Sequence, residues 1–322
     1  MVQYSQRKFQ RRATPVALWG IFMRTVRVKA YAKVNLTLEI VGAKDGFHLL
    51  DSFVASVDLF DELTVTKRKG KLSCVTMRGM GSESIPPERN NALKAAETFS
   101  QRFGTDGVDV TVFKNIPIGG GLGGSSADIA GVLNAMQTLY GITDDEAVDN
   151  LADELGSDVR FMRKGGYARM NGKGEILTPV AGATPLWLLL ICPQSSVSAG
   201  ACYRQYDETV AARTQNRTQA CINAFENGDT QRVGKLLCND LYIPAKTLCS
   251  DVEMALREAE SFSPLGAGMT GSGSAVFALF ETKELCEWAK SRYKGTFAAY
   301  AVKTVEPKKI KGWAFPFALQ KD

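Results

Sequence analysis

Residues 117–131 read PIGGGLGGSSADIAG, placing five glycines and two serines between a strand pattern and a helix pattern. Glycine adopts positive φ readily and lets a ligand approach main-chain N–H groups closely. A helix N-terminus leaves its first amides unpaired and carries partial positive charge. The combination makes an anion site, typically for phosphate. A tight strand–helix turn accounts for a glycine pair but not for five. Gly119, Gly121 and Gly124 also satisfy GxGxxG, the dinucleotide fingerprint. That fingerprint requires a second strand ending in an acidic residue about 20 positions later. ITDDEAVDNLADELG stands there instead, with the spacing of a helix. A Walker loop needs lysine where Ser125 stands, and the HRD and DFG signatures of protein kinases are absent.

Other side chains sit where they could do chemistry. In AYAKVNLTLEI no alternation carries Lys33 to solvent, and Asn35, two positions on, shares its side of the strand. A lysine at a strand edge is the other reading of that position. Asp158, in LGSDV, is a carboxylate, a group able to accept a proton. The same residue type is common at exposed helix ends. Asp128 falls in the first turn after the glycines, where a negative charge suits the helix dipole. His48 is the single histidine, so one chain cannot build a histidine metal cluster. Seven cysteines without a CxxC pair point to free thiols in a reducing cytoplasm.

The elements that must position these residues are legible from periodicity. Strand patterns cover Thr25–Ile40, Phe53–Lys67 and the alternating Val108–Phe113, with a helix at Asn91–Phe103. After the glycines, Ile129, Val132, Leu133, Met136, Leu139 and Tyr140 form one helical face, and Asp144–Leu155 makes another helix closed by Gly156. Pro185–Cys192 (PLWLLLIC) is the longest apolar run, a buried strand well short of the ~20 residues of a membrane helix. Helices are expected around 219–239 and 250–260. A second glycine stretch, Gly266–Ser274, then runs into a strand at Ala275–Phe280, followed by a helix at Lys283–Tyr293 and a strand at Thr296–Val305.

This order predicts two domains in an α+β fold. The N-terminal one spans 23–180 and carries the glycine loop; the C-terminal one spans 181–322. Residues 1–22 imitate a signal peptide, RKFQRR before ATPVALWGIF, but Arg24, Arg27 and Lys29 intervene before the AYA site. They are expected to be a disordered extension, with Met23 as an alternative start. The net charge of +5 comes from scattered basic residues with no aromatic interleaving, which argues against nucleic acid as partner.

Three segments together resemble the GHMP small-molecule kinases: AYAKVNLTLEI, PIGGGLGGSSADIAG and GMTGSGSAVFALF, in that order and across about residues 24–305. DGFHLLDSFVASVDLFDELTV, LGSDV and GKGEILTPV further resemble the branch that phosphorylates a cytidyl-erythritol in the non-mevalonate isoprenoid route. The resemblance implies an S5-like α/β N-terminal domain and a ferredoxin-like C-terminal domain. It also implies γ-phosphoryl transfer from ATP to the 2-hydroxyl of a small molecule carrying cytidine diphosphate, with Mg2+ and with no nucleic-acid or membrane partner.

Residue by residue, the resemblance assigns the ATP phosphates to Pro117, Ile118, Gly119, Gly120, Gly121, Leu122, Gly123, Gly124, Ser125 and Ser126, and the adenine pocket to Lys114. It puts Ser126 at the magnesium, although that hydroxyl could instead cap the helix. Asp158 becomes the general base and Lys33 the cation beside it. Asn35, Phe47, His48, Tyr203, Gly271 and Ser272 become substrate contacts, with His48 reading the edge of cytosine, and Phe47 and Tyr203 as aromatic walls. Two positions depart from the pattern: Phe47 replaces a tyrosine, and Arg160 stands where proline is usual. A kinase of homoserine or mevalonate type, or a non-catalytic nucleotide-binding protein on the same fold, remains as an alternative.

Overall fold

The computed structural model describes residues 24–86, 90–182, 184–209, 216–306, 308–310 and 313–315. The proposed extension 1–22 and Met23 lie outside these described residues. The first sheet is built around one long hairpin, β1 (Thr25–Lys44) and β2 (Phe47–Lys67), paired antiparallel along its length. Strands β3 (Cys74–Gly79) and β4 (Val108–Lys114) extend the lower half of β2, with β3 and β4 parallel. Strands β5 (Tyr167–Gly172) and β6 (Ile176–Pro179) extend its upper half. Register shifts in β1 fall between Tyr31 and Lys33 and between Asn35 and Thr37, so bulges bracket the two polar residues singled out in this strand.

Helix α1 (Asn91–Phe103) covers this sheet together with α2 (Gly124–Tyr140), α3 (Asp145–Leu155) and α4 (Val159–Lys164). The face expected on α2 is only part of its buried surface. Ala127, Ala130, Ala135, Asn134 and Gln137 are buried as well, because α2 lies between the sheet and α1, α3 and α4. Short residues such as Ala130 and Gly131 let it approach so closely; a Cβ on Gly131 would sit 2.9 Å from Leu63.

The second sheet, in the order β11-β7-β10-β9, is antiparallel throughout. It comprises β7 (Trp187–Cys192), β9 (Gly266–Met269), β10 (Val276–Phe280) and β11 (Ala298–Lys303). Leu188, Leu190 and Cys192 face the core shared with the first sheet. Leu189 and Ile191 face a second core under α9 (Ser250–Glu260) and α10 (Lys283–Arg292). Burial on both faces explains why this strand reads as an unbroken apolar run.

The segment 219–239, expected as one helix, is α6 (Arg217–Glu226), α7 (Thr230–Leu236) and the two-residue β8 (Cys238–Asn239). Gly228 at φ 72° breaks it, and Asp229 restarts it by accepting a hydrogen bond from the Arg232 amide. Strand β8 pairs in parallel with β1 at Thr37–Leu38. Two further helices, α5 (Ala199–Thr209) and α8 (Tyr242–Leu248), fall where no helix is predicted from periodicity.

Candidate active site

The glycine loop docks on the free edge of β1. The Lys33 amide donates to the Leu122 carbonyl (3.0 Å), and the Ala275 amide donates to the Gly120 carbonyl (3.1 Å). Carbonyls of the loop are therefore spent on its supports. Among the described residues, no amide from Gly119 to Ser126 donates to a protein acceptor, so these N–H groups remain for a ligand. Gly119, Gly121 and Gly123 have φ of 75°, 76° and 74°. Any Cβ at these positions also collides: at 2.6 Å with Ser196, at 2.3 Å with the Thr270 carbonyl and at 2.3 Å with Met162.

Helix α2 starts at Gly124 behind Gly123, which caps it with no side-chain hydrogen bond. The capping role considered for Ser126 is thus not taken up; Ser126 sits inside the first turn, too late to act as the N-cap. Its neighbour Ser125 accepts from Asn91 Nδ2 (2.5 Å). An uncapped helix end is an electrostatic well for phosphate. A cleft of about 330 Å³ opens there, lined by every residue from Pro117 to Ser126, by Lys114 and Asp128, and by Asn90 and Asn91.

Lys114 lines this cleft, but its ammonium is directed into a buried carboxylate pair. It donates to Asp61 and to Asp128 Oδ2 (2.7 Å), while Asp61 Oδ1 accepts from the amides of Asn115 (2.6 Å) and Ile116 (2.9 Å). Burial works to lower the Lys114 pKa, yet Asp128 and Asp61 outweigh it and hold the ammonium charged. The triad ties the end of β4 to α2 and so shapes the cleft from beneath; Asp128, expected in the first turn, is the fifth residue of the helix, just beyond that turn. Burial, reinforced by Asp61, holds Asp128 above the ordinary carboxylate range against the pull of Lys114. Asp128 Oδ1 is buried with no hydrogen-bond partner.

A second cavity of about 900 Å³ lies on the other side of the loop, and Gly121 and Gly123 line both. At their junction Lys33, only 4% exposed, donates to Asn35 Oδ1 (2.6 Å) and pairs with Asp158 Oδ2 at 3.4 Å. The strand-edge reading of Lys33 is half right: it is on the edge of β1, but the loop buries that edge. Asn35 Oδ1 also accepts from the Gly271 amide (3.1 Å), and the Asn35 amide donates to Thr270 Oγ1 (3.0 Å). Asn35 therefore joins the first and third glycine-bearing segments. Asp158 stands at the N-terminal end of α4 without capping it, which leaves its carboxylate to the cavity.

The remaining expected contacts, Phe47, His48, Tyr203, Gly271 and Ser272, all line this larger cavity. Their arrangement differs from two walls around an open slot. The His48 ring stacks on Tyr203 (centroids 4.8 Å apart, 20° between planes), and His48 Nε2 lies 2.7 Å from Asp207 Oδ1. Phe47 is 55% exposed and carries the Lys173 ammonium 3.8 Å from its ring centre. The hairpin tip turns Phe47 outward, so cation–π contact rather than the facing ring occupies it. Burial, then the nearby Asp158 carboxylate, push the Tyr203 phenol well above its ordinary pKa.

Arg160 does not reach the Lys33–Asp158 pair. It turns back onto α3, where its Nε donates to Asp153 Oδ1 and Oδ2 (2.8 and 2.9 Å). Sequence reasoning missed Asp153, Ser157, Lys173, Glu175, Arg204 and Asp207 as cavity residues, and Asn90 and Asn91 as cleft residues. GKGEILTPV contains Lys173 and Glu175, and LGSDV contains Ser157, with no role attached to any of the three. The others are ordinary polar residues that acquire a place only through folding.

Known proteins share this chain's sequence pattern and fold. Residues 90–168 match the GHMP kinases N terminal domain and 221–297 match GHMP kinases C terminal. The chain is 36% identical over 261 residues to the 4-diphosphocytidyl-2-C-methyl-D-erythritol kinase of Caldicellulosiruptor saccharolyticus, covering 80% of this chain and 88% of that protein. It is 33% identical to the enzyme of the same name from Caldanaerobacter subterraneus subsp. tengcongensis, covering 87% and 97%. A solved 4-(cytidine 5'-diphospho)-2C-methyl-D-erythritol kinase superposes with a TM-score of 0.70 at 30% identity, covering 86% of this chain and 98% of that one. Homoserine kinase from Cytophaga hutchinsonii superposes with a TM-score of 0.71 at 16% identity, covering 93% and 98%, a likeness of fold. With its loop, its buried lysine paired to a half-buried aspartate and these relatives taken together, the chain belongs to the GHMP kinases, in the branch of the 4-diphosphocytidyl-2-C-methyl-D-erythritol kinases.

Proposed function

We propose that this protein transfers the γ-phosphoryl group of ATP to the 2-hydroxyl of 4-diphosphocytidyl-2-C-methyl-D-erythritol. One observation carries the reading: two cavities meet at Gly121 and Gly123, with Lys33 and Asp158 beside the meeting point. Phosphoryl transfer needs little covalent chemistry from the protein and much positioning and charge neutralisation. The loop amides and the α2 terminus bind and orient the phosphates from the smaller cleft. Asp158 accepts the proton of the acceptor hydroxyl in the larger cavity. Lys33, held by Asn35, stabilises the negative charge that develops on the reacting oxygens.

The smaller cleft also suits a divalent cation. Ser126 lines it, and the orphaned Asp128 Oδ1 is an oxygen in want of a partner. These two would hold magnesium, which when bound neutralises charge on the phosphates. Lys114, itself bonded to Asp61, fixes the Asp128 carboxylate through its other oxygen.

The size and lining of the larger cavity favour the nucleotide-bearing substrate over homoserine or mevalonate. A substrate without a base has no use for the Phe47, His48 and Tyr203 end of the cavity. Retention of both Lys33 and Asp158 in contact argues against a non-catalytic nucleotide binder. Coupled ADP release with the cytidyl substrate, homoserine and mevalonate tests the assignment; turnover of either small alcohol at a rate equal to the cytidyl substrate would overturn it. Asp158→Asn is expected to remove turnover while ATP still binds, and near-normal kcat in that variant refutes the base.

A further inference from the structure

Asp145, Asp149 and Asp153 recur every fourth residue along α3 and so share one face. Helix α4 presents Arg160, Arg163 and Lys164 to them. Arg163, buried at 3% exposure, bonds Asp149, Asp145 (3.0 Å), Asn134 (2.9 Å) and Gln137 (2.8 Å), and so anchors the junction of α2, α3 and α4. Lys164 pairs with Asp145 (2.5 Å) and Asp149 (2.8 Å). Arg160 closes the N-terminal end of this ionic zipper through its fork on Asp153 and a bond to Asn150 (3.1 Å).

Asp158 stands two residues before Arg160. Its carboxylate makes no cap hydrogen bond, and its pairing with Lys33 at 3.4 Å is longer than the ~2.7–2.9 Å of a tight charge-assisted bond. Where it points therefore depends on the backbone of the turn it stands on. Helix α4 is six residues long, too short to hold that turn by its own hydrogen bonds. Asp153 lines the same cavity as Asp158, and the fork neutralises this second carboxylate.

We propose that Arg160, gripping Asp153, is a positioning residue that keeps the Asp158 carboxylate in register with Lys33 and the acceptor hydroxyl. This rests on Asp158 being the general base. A displacement of about 1 Å at a reacting group costs on the order of a hundredfold in rate, which sets the scale of the expected effect.

The test is a double-mutant cycle on the full chain, with kcat, KM for ATP and thermal unfolding measured for wild type, R160Q, D158N and R160Q/D158N. R160Q is expected to lower kcat by about ten- to a hundredfold with KM for ATP unchanged. Added to D158N, it is expected to lower the residual rate no further, because its effect passes through the missing carboxylate. D153N removes the same fork from the other side and should copy R160Q. R160K, which keeps the charge but not the fork, should fall between R160Q and wild type. An undiminished kcat in R160Q or D153N overturns the proposal. So does an equal fold-loss on both backgrounds, which would leave the base assignment standing. Wild-type kcat in D158N would remove the base assignment and the proposal together.

Discussion

Replacing Gly121 by alanine tests whether the loop's glycines are demanded by backbone geometry. Gly121 has φ 76°, and a Cβ there would lie 2.3 Å from the Thr270 carbonyl oxygen and 3.1 Å from that of Gly273. An L-residue in the left-handed region costs about 1–2 kcal/mol, and forcing atoms into a packed site about 1–3 kcal/mol more. The expected total is about 2–5 kcal/mol. It is divided between the fold and the ligand according to how far the loop moves. If the loop keeps its place, Tm falls by about 2–4 °C per kcal/mol. If the loop shifts off β1, ATP affinity drops instead, about tenfold per 1.4 kcal/mol. Gly120 supplies an internal control: its φ is not left-handed, and its Cβ would meet Ala275 Cβ at 3.4 Å, an ordinary contact. Gly120→Ala should change stability by about 1 kcal/mol or less, helped by a less flexible unfolded chain. Thermal unfolding and ATP titration calorimetry on both variants decide the matter. Gly121→Ala with wild-type Tm and affinity, or Gly120→Ala with an equal loss, would show the reasoning to be wrong.

Lys33→Met keeps the volume of a buried side chain but removes its charge, and should lower kcat by about 10²–10³, with ATP affinity changing far less; a kcat within threefold of wild type speaks against a catalytic Lys33. Phe47→Ala should raise KM for the cytidyl substrate by a factor of about 2–12, the worth of one aromatic contact at ~0.5–1.5 kcal/mol, with kcat unchanged; an unaltered KM removes Phe47 from the substrate site. Burial pushes the thiols of Cys192, Cys221 and Cys286 up to about 12, and a raised pKa means almost no thiolate at pH 8, so these should resist a thiol reagent until the protein unfolds. Exposed Cys74 should react first; early labelling of the buried three, mapped by mass spectrometry, contradicts their placement.

Much of the site was written in residue types and order. The glycine run and the lysine without a solvent-facing alternation could be picked out because each breaks a local pattern, whereas the aspartate after α3 stood out only through the resemblance of LGSDV. Periodicity also located α1, α3, β4 and β7, whose burial is regular. It failed where a helix owes its existence to neighbours. Helix α4 is short and held by the zipper on α3, α8 is a seven-residue piece containing Pro244, and α5 buries only Cys202 and Tyr206, too few to show a period. The side chains missing from the sequence reading, Asp153 and Arg204 among them, carry no signal of their own, since their only distinction is which cavity they border.

By itself the sequence determined a glycine loop before a helix and a buried lysine two residues from an asparagine. These are consequences of backbone freedom and strand alternation, which act within a few residues. Only the tertiary structure decided that Leu122 and Thr270 converge on the edge of β1 while Ala275 holds the loop at Gly120, that Lys33 meets Asp158 across 125 positions of chain, and that Arg160 turns back onto Asp153 of α3. It also decided that His48 stacks on Tyr203 while Phe47 faces outward. Those outcomes depend on contacts between segments far apart in the chain, whose distances are set by packing the two sheets and their helices together and by no local preference.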